Sequence, residues 1–118
     1  MSFSSESTIA HLKELEGKIT DRISEIDGAS VQAKSVDLCE SASAYYERGT
    51  IRMSLRHYGV DSSNKVVKDL SRCIEIWEQL SGAGKLVDEV NLAKAYYYRH
   101  KIRIWGAWGI LTGNMFSM

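Results

Sequence analysis

Ten residues of one twenty-residue stretch come back, in order and without a gap, 51 positions later in the chain. Lys34, Val36, Asp37, Ala42, Ala44, Tyr45, Tyr46, Arg48, Ile51 and Arg52 are matched by Lys85, Val87, Asp88, Ala93, Ala95, Tyr96, Tyr97, Arg99, Ile102 and Arg103. Identity of that density marks a duplicated unit, and a repeated unit buries its apolar face only against a neighbour. The fold must therefore place two versions of one element in equivalent positions.

Hydrophobic periodicity says what that element is. Ile9, Leu12, Leu15, Ile19, Ile23 and Ile26 recur every three or four positions, as on one face of an α-helix. Ser4, Ser5 or Ser7 can cap its start and Asp27-Gly28 its end. A second helix, the first copy of the repeat, starts between Ser30 and Ser35 and runs to about His57. Ala42, Ala44 and Gly49 leave it a face without bulk that lets another helix come close. Tyr58-Gly59 ends it, and Asp61, Ser62 and Ser63 cap a third helix from roughly Asn64 to Leu80. Shifted by 51 residues, Leu15, Ile19, Ile23 and Ile26 fall on Val66, Leu70, Ile74 and Trp77, so the duplication reaches back into the preceding helix as apolar character. Ser81-Gly82-Ala83-Gly84 leads to a fourth helix from about Leu86 to Gly109 or Leu111, weakened at its end by Gly106, Gly109 and Gly113. The expected fold is all-α: four helices as two tandem antiparallel hairpins, about 9–60 and 61–112, in one domain covering 1–118.

Composition agrees with this and narrows the function. Proline, which interrupts helices, is absent, and 118 residues suffice for one core but not two. Fifteen basic residues balance fifteen acidic ones, which removes the broad attraction that nucleic-acid and anionic-membrane binders use. Cys39 and Cys73 have no CxxC spacing and sit among apolar helix positions, as reduced core thiols do. The serine-rich start has no basic stretch followed by an apolar run, so a cytoplasmic protein is expected.

The run Ala44-Tyr45-Tyr46-Glu47-Arg48-Gly49, followed by Val66, Leu70 and Cys73, resembles a tetratricopeptide repeat, whose first helix carries an aromatic and then a glycine four residues on. The likeness covers residues 42–80 once and Leu92 to Trp105 as the first helix of another copy. Arg48 and Arg52 stand where the family has a leucine and a second aromatic, and His100 replaces the second glycine. The period of 51 exceeds the family's, about 34 residues, which calls for longer helices. The resemblance implies stacked helical pairs that bind peptides without catalysis, as in a small adaptor or chaperone-like protein. Lys94 and Lys101 fall near the places of that family's carboxylate clamp.

Arg48, Arg52 and Arg56 lie at intervals of four, and Arg99 with Arg103 repeats the first two, so one helical face carries a basic ladder. Guanidinium groups grip carboxylates in bidentate fashion, which makes the ladder a site for an acidic segment or partner helix. The alternative is an internally paired face, with Asp69, Glu75 or Glu78 as partners. Tyr98 replaces Glu47 of the first copy and is expected as an exposed contact beside Lys101, whereas Tyr45, Tyr46, Tyr96 and Tyr97 fit core positions. His11, His57 and His100 are scattered without a Glu-x-x-His pair, and Ser81-Gly82-Ala83-Gly84-Lys85 lacks the strand and hydroxyl of a phosphate loop. No metal, no cofactor and no catalysis are expected. The function expected is a protein-protein interaction module that binds a protein or peptide partner; the alternative is an enzyme, of unknown reaction, working in the cleft between the hairpins.

After Arg103 the chain is free of charge to Phe116 and carries Trp105, Trp108, Leu111 and Phe116. The run is too short to span a membrane, which takes about 20 apolar residues. Apolar surface with no fifth helix to cover it tends to meet a copy of itself, so these four are expected at a homodimer interface unless the tail folds back over the core.

Overall fold

The computed structural model describes residues 2–28, 35–60 and 63–116, with side-chain surroundings for 6–28, 38–60 and 63–104. Four α-helices and no strand occur among the described residues: α1 (Ser2–Gly28), α2 (Ser35–His57), α3 (Ser63–Gly82) and α4 (Glu89–Phe116). The boundary expected near Asp61 lies outside the described residues.

The helices form an open row in which each packs chiefly on the one before and the one after. The α2–α3 contact is the most extensive, with α1 packed on α2 and α4 packed on α3. Cross-helix bonds show each neighbouring pair to be antiparallel: Asp27 and Thr20 of α1 meet Tyr45 and Arg48 of α2, Asp69 and Ser63 of α3 meet Arg48 and Arg56, and Glu78 and Ser71 of α3 meet Tyr96 and Arg99 of α4.

Position in the row sets how much of each helix is buried. With neighbours on two sides, α3 buries Val66, Leu70, Cys73, Ile74, Ile76, Trp77 and Leu80 in one cluster with Ala42 of α2 and Ala95 and Ile102 of α4. Each large apolar side chain removed from water there contributes about 1.5–3 kcal/mol. A smaller cluster joins Ile19 and Ile23 of α1 to Ala44 of α2, with Ile26, Tyr45 and Ile51 at its edge. Gly49 has the close-approach role its size suggests: a Cβ built there would lie 3.1 Å from Leu70 Cδ2 and 3.3 Å from Asp69 Cβ.

The helix ends follow local chemistry. At the end of α2, Gly59 at φ 91° lets the amide of Val60 reach the carbonyl of Leu55 and its own amide reach Arg56. Gly84 at φ 77° does the same after α3, with Lys85 bonded to Leu80 and Gly84 to Ser81. Both are left-handed caps that use the last free carbonyls of a helix. The fourth helix starts later than its apolar pattern suggests, because Asp88 Oδ1 accepts the amide of Asn91 at 3.0 Å and fixes Asp88 as the N-cap. Leu86 is thereby left in the connection, 95% exposed. The helix also continues to Phe116, through Gly106, Gly109 and Gly113, so three glycines do not end a helix when no proline or capping turn competes.

Candidate partner-binding surface

The repeat is visible in the contacts themselves. Tyr45 Oη donates to Asp27 at 2.9 Å, and Tyr96, 51 residues on, donates to Glu78, which stands 51 residues after Asp27. Arg48 lies over the Tyr45 ring with its Cζ 5.4 Å from the centroid, and Arg99 lies over Tyr96 at 5.5 Å. Arg48 Nη1 bonds Thr20 Oγ1 at 3.3 Å, and Arg99 Nη1 bonds the equivalent hydroxyl, Ser71 Oγ, at 3.2 Å. Thus α1 packs on α2 as α3 packs on α4, with the arginine of each hairpin oriented by a ring and a hydroxyl. Burial raises the Tyr45 hydroxyl above its ordinary value, helped by the Asp27 bond; for the more exposed Tyr96 the bond to Glu78 is the main cause.

The two copies part in the carboxylates available to their arginines. Arg48 grips Asp69 in bidentate fashion, Nε to Oδ2 at 3.0 Å and Nη2 to Oδ1 at 2.7 Å. Arg52 bonds the same carboxylate through Nη1 at 2.8 Å and Glu16 through Nε at 2.7 Å. Asp69 is 2% exposed, so the pairs sit away from water, where a charge left alone would cost several kcal/mol. Arg56 Nε bonds Ser63 Oγ at 2.8 Å. The first half of the basic ladder is therefore turned inward, fastening α1 and α3 to α2. These ion pairs and the apolar cluster lie between the hairpins.

In the second copy, no carboxylate among the described residues reaches Arg99 or Arg103. Arg103 is exposed; Val67 occupies the place equivalent to Glu16. Lys101 Nζ lies 5.2 Å from the Tyr97 ring centroid, the distance of a cation–π contact. Tyr98, expected outside, packs half-buried against the α3 cluster, because it falls in helical phase with Ala95 and Ile102, which face α3. Of the three tyrosines on α4, the exposed ones are Tyr97, at 56%, and Tyr96, at 40%, both expected at core positions.

Tyr97 belongs to an exposed stripe of α4. Val90, Ala93, Tyr97, His100 and Ile104 follow one another at spacings of three and four along α4, and all are exposed or half-exposed. Their counterparts on α2 are Cys39, Ala42, Tyr46, Gly49 and Met53, a face packed against α3. Tyr46 meets Trp77 there with ring centroids 5.8 Å apart, and burial raises its hydroxyl above the ordinary value. The alternating three-and-four spacing is readable in the residues, but which side of α4 lacks a neighbour is not. The side chains of Trp105, Trp108, Leu111 and Phe116 lie outside the described residues.

The fold and surface define an all-α protein of two tandem helical hairpins, joined by internal ion pairs at its centre and exposing an apolar stripe on residues 90–104 of α4. No helix among the described residues is long and apolar enough to cross a membrane. No family model, curated protein or solved structure matches the chain.

Proposed function

We propose that this chain is a non-catalytic protein-protein interaction module, a small adaptor or chaperone-like protein that receives a helical segment of an acidic partner along α4. One observation carries this reading: α4 repeats the face with which α2 seats α3 and leaves it uncovered, with Tyr97, Val90 and Ile104 at 56%, 65% and 40% exposure. Aromatic and aliphatic residues bordered by basic groups have the composition of a helix-receiving surface. Between Glu89 and Ile104 the charges are Lys94, Arg99, Lys101 and Arg103 against one carboxylate, which favours an acidic segment. The tetratricopeptide resemblance supports the same kind of activity. A cytoplasmic setting belongs to the proposal, supported by two cysteines held as free thiols. Self-association through the C-terminal aromatic residues is a separate expectation with its own test, light scattering.

The experiment is an NMR titration of the full chain with an acidic amphipathic helical peptide. Shifts concentrated at Val90, Ala93, Tyr97 and Ile104 are expected. Shifts elsewhere, or none, reject α4 as the binding surface.

A further inference from the structure

Resting on that reading, we propose that Arg99 and Arg103 form a preset receptor for one carboxylate of the incoming helix, and that the helix takes on α4 the place α3 takes on α2. The completed form of the site is already inside the molecule. Arg48, held over Tyr45 and bonded to Thr20, shares Asp69 with Arg52 one turn further on. Arg99 is held in the same way, over Tyr96 and bonded to Ser71, and Arg103 stands one turn on. Two guanidinium groups on one face, at least one already oriented, lose less freedom on capturing a carboxylate than two mobile ones, and bidentate charge-assisted bonds are both strong and directional.

The same equivalence specifies the occupant. On α3, Asp69 begins a buried row that continues through Cys73, Ile76 and Leu80. The partner helix therefore carries Asp or Glu, then apolar residues four, seven and eleven positions later, to cover the row that contains Tyr97 and Ala93. One departure adds a selectivity rule. Gly49 lets Asp69 and Leu70 come close, whereas its counterpart His100 presents an imidazole. The residue after the partner's carboxylate is accordingly small, where α3 has Leu70.

A second copy of this chain, stacked as the row would continue, does not meet that description. Shifted by 51 residues, Asp69, Cys73 and Ile76 correspond to Lys18, Arg22 and Glu25 of α1, charged residues in place of a carboxylate and two apolar side chains. Lys18 would then face Arg99 and Arg103. The outer side of α1 is thus a charged terminal face, as end units of helical stacks have, while α4 is the open end.

The test uses the full chain and two fluorescein-labelled twenty-residue helical peptides with net negative charge and this apolar row, one bearing Asp at the key position and one Asn. The Asp peptide is expected to bind about tenfold more tightly. The double variant Arg99→Gln/Arg103→Gln is expected to keep its circular dichroism melt and bind the two peptides equally, while Tyr97→Ala weakens both. Equal binding of the two peptides to the unaltered chain, with Tyr97→Ala still weakening both, overturns the carboxylate receptor and leaves the α4 surface standing. Failure of both peptides to bind overturns both readings. A dimer dissociated by Tyr97→Glu would show that a second copy occupies the face, and overturns the proposal too.

Discussion

Tyr46 and Tyr97 are the same residue of the same repeat, yet one lies against Trp77 in the core and the other is 56% exposed. Ala42 and Ala93 differ likewise, at 0% and exposed, as do Arg52 and Arg103. Nothing in the residues accounts for this. The difference lies in the neighbour: α2 has a helix on each side and α4 has one. Burial in a helical row belongs to the place of a helix in it and not to its residues alone.

The contrast between the copies is most exposed to challenge at the rings. Trp77→Ala opens the α2–α3 core and is expected to cost about 3–5 kcal/mol, whereas Tyr97→Ala leaves the urea midpoint almost unchanged; equal losses would mean that α4 is covered in solution. Asp69→Ala comes next. It leaves two inward-turned guanidinium groups without their shared carboxylate and should cost about 3 kcal/mol in urea unfolding, while Arg103→Ala should leave the midpoint in place. If Asp69→Ala were harmless, the internal site would be no template for the external one.

Exchanging residues between the copies sharpens the contrast. Gly49→His places an imidazole where even a Cβ would crowd Leu70, and is expected to destabilise by about 1–3 kcal/mol. His100→Gly has only the propensity of an exposed helix position to lose, a few tenths of a kcal/mol. Thermal melts of both variants decide it. A further effect belongs to pH. Burial pushes the Cys73 thiol up to about 12 from an ordinary 9.0. The unfolded chain loses that proton first, so the stability it contributes is fully present below pH 9 and drains away as pH rises toward 12. Cys73→Ala should flatten that part of a pH–stability curve; an unchanged slope would mean that water reaches the α2–α3 seat. Light scattering at micromolar concentration tests self-association through Trp105, Trp108, Leu111 and Phe116, and loss of a dimer on Trp105→Ala/Trp108→Ala is the expected outcome.

Much of the architecture is legible in the residues because it depends on short-range regularities. The three-and-four spacing of Ile19, Ile23 and Ile26 gives a helix, and the residues 51 positions on, Leu70, Ile74 and Trp77, are likewise in an apolar cluster. Gly49 signals a close approach that the structure contains. The direction in which the ladder faces is not legible, since it depends on where α3 lies against α2; Asp69 stands among three possible partners, and only the fold selects it. Tyr98 is misplaced by sequence reasoning for a related cause. Three consecutive tyrosines point in three directions around a helix, and composition alone does not say which direction is inward.

The row of helices also has a kinetic side. A helix held from two sides opens only when both contacts are lost, but an end helix peels away by breaking one, so α4 is placed to exchange its amide protons faster than α3. A partner laid along α4 converts that end helix into an internal one. Occupancy would then be recorded as slowed exchange from α4 inward, each layer protecting the one beneath it.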